Sequence, residues 1–89
     1  MEKSLSITAS GRVQGVGFRY YTQKVAMTRG LKGFVKNLSN GDVYIEAQGP
    51  EEQLTAFLTD VKKGPFLARV DNMIVNEMVL KEFSEFSIR

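Results

Sequence analysis

Between Ser4 and Ser10 the chain alternates strictly. Leu5, Ile7 and Ala9 fall on one side, Ser6, Thr8 and Ser10 on the other. A period of two with polar partners predicts a strand with one buried face. From Phe18 the spacing becomes helical: Phe18, Tyr21 and Val25 recur, with Ala26 and Met27 beside them, and Gly30 supplies a stop, so a helix is predicted over residues 18–29. The next stretch, LKGFVKNLSNGDVYIEAQG, reads as a hairpin turning at Asn40-Gly41. Before the turn Val35 and Asn37 share a face, opposite Phe34 and Lys36. After it Val43, Ile45 and Ala47 share a face, opposite Tyr44, Glu46 and Gln48. Residues 49–64 predict a second helix. Pro50 suits its first turn, Glu51 and Glu52 complement the positive end of its dipole, and Lys62, Lys63 and Gly64 close it. Its core stripe is Leu54, Phe57, Leu58 and Val61. The segment ARVDNMIVNEMVL is rich in strand formers but changes parity: Val70, Ile74 and Met78 alternate one way, Met73 and Val75 the other. A bulge would explain that, without a fixed position. Phe86 and Ile88 share one side of a short last strand.

The element order is therefore β-α-β-β-α-β with a short C-terminal strand. This predicts an α+β, ferredoxin-like split βαβ sandwich, an antiparallel sheet with both helices on one face. Eighty-nine residues read as one domain, residues 1–89. No apolar run in the first twenty residues resembles a signal core, and none elsewhere is long enough for a bilayer; the expectation is a cytoplasmic protein, monomeric by default, without membrane or nucleic-acid partners. A net charge of +2 is too small to argue for nucleic acid.

Composition narrows the chemistry sharply, because the chain has neither histidine nor cysteine. Ser–His–Asp and Cys–His nucleophiles, histidine acid–base catalysis and nearly all zinc sites are excluded. What remains is Arg, Lys, amides, carboxylates, hydroxyls and backbone N–H groups.

One stretch concentrates such groups. GRVQGVGFRYY, residues 11–21, places three glycines before Arg19 at the start of the predicted first helix. Read plainly, the glycines make a strand-to-helix turn and Arg19 is a surface arginine. Read chemically, successive N–H groups at a helix N-terminus form an anion cradle, and a guanidinium adds a two-pronged phosphate contact. Known phosphate loops do not fit. A P-loop spacing from Gly11 meets Val16 where its glycine belongs, and no Lys-Ser or Lys-Thr follows. A dinucleotide fingerprint begun at Gly15 and Gly17 finds Tyr20 in the third glycine position. A cysteine-phosphatase loop ending at Arg19 would need its nucleophile at Val13. The loop can hold a phosphoryl group but carries no nucleophile.

GRVQGVGFR, residues 11–19, resembles the signature of the acylphosphatase family, roughly G-x-V-Q-G-V-x-F-R. GFVKNLSNGDV, residues 33–43, looks like that family's second motif, with Phe34 where tryptophan is more frequent. GPFLARVD and the closing FSIR are similar to its later segments, so the resemblance spans nearly the whole chain. It implies hydrolysis of the carboxyl–phosphate bond of acyl phosphates without metal or cofactor. By the same likeness Arg19 and the backbone amides of Gln14, Gly15, Val16, Gly17 and Phe18 bind the phosphoryl group, and Asn37 positions the attacking water. The chemistry is consistent: a carboxylate leaving group, whose conjugate acid has a pKa of about 4, departs without a general acid. Phosphoryl transfer needs mostly positioned donors and cations.

Other features read as structural by default: Tyr20 and Tyr21 on the helix face, Lys62 and Lys63 as helix-end charges. Arg12 and Lys36 are solvated charges or anion-steering ones. Two rivals share the strand order. A non-catalytic phosphate-sensing domain would bind through the same loop. An RNA-recognition module would read bases with sheet aromatics, but KGFVKN departs from its pattern at Val35 and Asn37, leaving Phe34 and Tyr44 on the open face.

Overall fold

The computed structural model describes all residues, Met1–Arg89. In chain order the elements are β1 (Glu2–Arg12), α1 (Phe18–Thr28), β2 (Lys32–Asn37), β3 (Val43–Pro50), α2 (Glu51–Lys63), β4 (Arg69–Met78) and β5 (Phe86–Ile88). The sheet order is β4-β1-β3-β2-β5. β1 pairs antiparallel with β3 and β4, and β2 antiparallel with β3. β5 lies parallel to β2, so the sheet is mixed at that edge rather than antiparallel throughout. No helix is long and apolar enough to cross a membrane.

Alternation builds the core. Ile7 and Ala9 of β1, Val35 of β2, and Val43, Ile45 and Ala47 of β3 are all fully buried on one face, where Phe18 and Ala26 of α1 and Leu54, Phe57 and Val61 of α2 pack on them. Each large apolar side chain buried here stabilises the fold by about 1.5–3 kcal/mol. In α1 the buried row is Phe18, Thr22 and Ala26, one position away from the predicted Phe18, Tyr21, Val25. Thr22 presents a methyl group as well as a hydroxyl, so a count of apolar residues passes over it. Tyr21 flanks the row and its OH donates to the Asp60 carbonyl at 2.7 Å, while Met27 is exposed. The stop at Gly30 is a Schellman closure: Leu31 N–H donates to Ala26 O at 2.9 Å and Gly30 N–H to Met27 O at 3.1 Å.

The parity change in β4 has a located cause. Ser10 pairs with Asn72 and Gly11 with Val70, so Asp71 is an extra residue opposite that step. This bulge lets both Val70 and Met73 pack against the core. Gly11 makes room for it. Its φ is +125°, and a Cβ there would lie 2.3 Å from the Arg69 carbonyl oxygen. The first glycine of the loop motif therefore serves the sheet.

The opposite sheet face is partly covered. Phe34 and Tyr44 do point that way, but Phe34 is buried, with Phe83 edge-on at 6.3 Å and the Arg89 guanidinium 3.8 Å above its ring. Gln48 holds residues 79–85 down through two bonds with the Lys81 backbone, 2.7 and 2.8 Å. Glu46 accepts from Tyr44 OH at 2.7 Å and from Lys81 Nζ at 2.9 Å. Base stacking on this face would require displacing that cover.

Candidate active site

The loop from Val13 to Phe18 is pinned by three apolar residues. Val13 and Phe18 are 1% exposed, and Val16 packs against the core from a partly buried position. Gly15 and Gly17, between them, have φ of +74° and +78° with nothing within 4 Å of a notional Cβ. Side chains thus turn inward while the backbone faces outward. Gly17 in the left-handed region followed by helical Phe18 is a backbone sequence of the kind that turns successive N–H groups toward one side. From Gln14 to Tyr20 no backbone N–H donates to an acceptor in the protein; the first helical bond of α1 is Tyr21 N–H to Gly17 O at 3.0 Å.

The electrostatics of this helix start are unusual. Gly17 caps α1 without a side-chain acceptor, and no acidic residue stands in the first turn. Arg19 stands there instead, adding positive charge to the positive end of the dipole. α2 shows the ordinary arrangement, with Glu51 and Glu52 at its start. Such a concentration of unpaired donors and cationic charge is stabilised by an anion. Arg19 has no Asp or Glu partner among the ion pairs; its Nη1 donates to the main-chain oxygen of Arg89 at 3.2 Å, which orients the group and leaves its other N–H donors free.

Asn37 ends β2 on the same face as Val35, and its side-chain amide has no hydrogen-bond partner within the protein. It lines one cavity of about 230 Å³ with Gly15, Gly17, Phe18 and Arg19, completed by Val13, Tyr20 and Ile88. Five of the seven sequence candidates thus meet there. Gln14 and Val16 are not among its lining residues; the Val16 side chain packs against the core instead. Gln14 does separate work: its Nε2 donates to Leu38 O at 2.8 Å and to Asp42 O at 2.9 Å, tying the loop to the β2–β3 turn just beyond Asn37. Val13, Tyr20 and Ile88 were not anticipated as lining. Val13 and Tyr20 adjoin the motif, which was a usable signal; Ile88 arrives only through the parallel pairing of β5 with β2, opposite Val35. No Asp, Glu, Lys, Ser or Thr side chain lines the cavity, and the Tyr20 phenol is its one hydroxyl. No group of three or more Asp and Glu side chains gathers as a metal site.

A split βαβ sandwich whose first helix opens on an unpaired amide cradle with an arginine defines a phosphoryl-binding protein. The acylphosphatase family model matches residues 5–88. An acylphosphatase of Archaeoglobus fulgidus is 48% identical over 85 residues, 96% of each chain. One from Thermotoga maritima is 46% identical over 87 residues, 98% of this chain and 97% of the other. The crystal structure of acylphosphatase from Bacillus subtilis superposes with a TM-score of 0.96 at 43% identity, covering 100% of this chain and 99% of that one. The chain belongs to the acylphosphatase family and is an enzyme that hydrolyses acyl phosphates to carboxylate and phosphate.

Proposed function

We propose that residues 1–89 act as one catalytic domain in which the amides of Gln14–Phe18 and the Arg19 guanidinium hold the phosphoryl group while Asn37 positions the attacking water. The observation that supports this reading is that Gly15, Gly17 and Phe18, whose N–H groups have no partner in the protein, line one small cavity together with Arg19 and the unpartnered Asn37 amide. In the transition state charge spreads over the equatorial phosphoryl oxygens, and preorganised donors stabilise it there. Water forms the new O–P bond as the P–O bond to the acyl group breaks, and the acyl group departs as a carboxylate. With no Asp, Glu or His side chain lining the cavity, the water's proton passes to a phosphoryl oxygen of the substrate. Asn37 is no base; its amide oxygen accepts a hydrogen bond from the water and fixes its line of approach.

The test is hydrolysis of benzoyl phosphate in ¹⁸O-labelled water with excess EDTA. The reading predicts an undiminished rate and label in phosphate alone. A rate lost to EDTA and restored by a divalent cation, or label in benzoate, would overturn it.

A further inference from the structure

Residues 64–68 join α2 to β4 in a tight turn whose base is fixed and whose tip is bare. The Ala68 N–H donates to the Pro65 carbonyl at 3.0 Å, which leaves Phe66 and Leu67 at the two corner positions. Below them Gly64 is buried against Phe18, where a Cβ would come within 3.3 Å of the ring, and Ala68 packs on the core. Corner positions ordinarily carry Gly, Asn, Asp or Ser. Here they carry two large apolar side chains, Phe66 100% exposed and Leu67 59%. Every other phenylalanine of the chain is buried or half-buried. Cations ring this tip. Lys62 and Lys63 end α2 just before it and Arg69 opens β4 just after it, all exposed. Arg12 stands beside Arg69 across the β1–β4 ladder. Of the four, only Arg69 has an acidic partner, Asp71 at 2.8 Å. Four cations against one acid exceed the +2 of the whole chain, so the remaining residues sum to a slight negative charge.

We propose that the Phe66–Leu67 tip, ringed by Lys62, Lys63, Arg69 and Arg12, docks the enzyme on an anionic lipid surface. Charge selects the sign of the partner, and shape selects its kind. The tip projects from its turn, and neither Phe66 nor Leu67 lines any of the larger cavities of the molecule, so the partner must close around it. A bilayer interface does that. Phe66 and Leu67 enter among the upper acyl chains while the cations rest against the lipid phosphates. A folded protein would need a preformed pocket of matching shape. A second copy of this chain would bring like charges together. A single-stranded nucleic acid would stack a base on Phe66 but leave Leu67 in water. Two inserted side chains and a few cations give reversible attachment rather than a permanent anchor. Such a contact needs no spanning segment, so the lack of a long apolar helix does not bear on it.

Cosedimentation of the full chain with sucrose-loaded vesicles tests this, comparing phosphatidylcholine alone with an equal mixture of phosphatidylcholine and phosphatidylserine. The protein should bind the mixed vesicles and not the neutral ones, and high salt should release it. Phe66→Ser should weaken binding by about tenfold or more, the worth of one buried aromatic side chain. Lys62→Gln together with Lys63→Gln should weaken it by about thirtyfold. The chain has no tryptophan, so Phe66→Trp supplies a single indole, whose emission should shift to the blue on mixed vesicles alone. These side chains are exposed and lie outside the cavity, so every variant should hydrolyse benzoyl phosphate at the unaltered rate in vesicle-free buffer. No binding to mixed vesicles would overturn the proposal. So would binding that Phe66→Ser leaves intact, which is charge adsorption without a docking tip, or an indole whose emission does not move. Tighter binding of a short single-stranded RNA, weakened by the same substitutions, would overturn it in favour of nucleic acid.

Discussion

Replacing Gln14 with alanine isolates the strap between the loop and the β2–β3 turn. Its Nε2 makes two bonds, 2.8 Å to Leu38 O and 2.9 Å to Asp42 O. A neutral bond of this kind contributes about 1 kcal/mol net. An acceptor left buried without a partner would add about 1–3 kcal/mol more. That addition is small here, because both carbonyls keep a partner: Leu38 O accepts from Gly41 N–H at 3.2 Å and Asp42 O from Leu38 N–H at 2.8 Å. Gln14→Ala should therefore cost about 2 kcal/mol, which lowers Tm by about 8–16 °C in a domain of this size. Gln14→Glu should be worse, since it removes both donors and sets a carboxylate against two carbonyl oxygens. Thermal and urea unfolding by circular dichroism measure both. Because the strap joins the phosphate loop to the end of the strand bearing Asn37, kcat should also fall for the alanine variant below its unfolding temperature. A Tm loss under about 3 °C, or a glutamate variant as stable as the alanine one, would show that the strap does not carry this stability.

Gly11→Ala should destabilise by about 2 kcal/mol or more in urea unfolding, because its Cβ would meet the Arg69 carbonyl at 2.3 Å on a backbone of positive φ, while the cradle itself is untouched. Glu46 adds a pH dependence. Burial alone would raise its pKa, but the Tyr44 hydroxyl, the Lys81 ammonium and the Arg89 guanidinium outweigh burial and hold it below the ordinary 4.5. A carboxyl depressed in the folded state contributes stability above its unfolded pKa and loses it as pH falls through the folded value. Stability should therefore decline more steeply below about pH 4 in the unaltered protein than in Glu46→Gln, as urea midpoints across pH 2–7 would register.

Much of this molecule was legible from spacing alone. Alternation in residues 4–10 and 43–47 gave the buried strand faces because a period of two has no competing explanation there. The loop and Arg19 were legible because so few residue types in the chain can do chemistry, and Asn37 because the family motif continues past Val35. Other features depend on contacts between distant segments. The buried row of α1 includes Thr22, whose class hides its methyl. The bulge at Asp71 is defined only against Ser10 and Gly11 of another strand. Gln14 was visible as a loop residue, but its side-chain partners lie 24 and 28 residues on. Ile88 reaches the cavity through a parallel strand pairing that three residues of sequence do not announce.

In the proposed mechanism two side chains divide the labour: Arg19 holds the phosphoryl group and Asn37 acts on the water. Steady-state kinetics of Asn37→Ala on an acyl phosphate, with competitive inhibition by inorganic phosphate measured alongside, test it most directly. Loss of one preorganised group that acts in the transition state predicts a kcat lower by about 10²–10³ with phosphate inhibition unchanged, whereas Arg19→Ala should lose both. Near-normal kcat in Asn37→Ala, or a loss of phosphate inhibition equal to its loss of kcat, would rule out this division of roles.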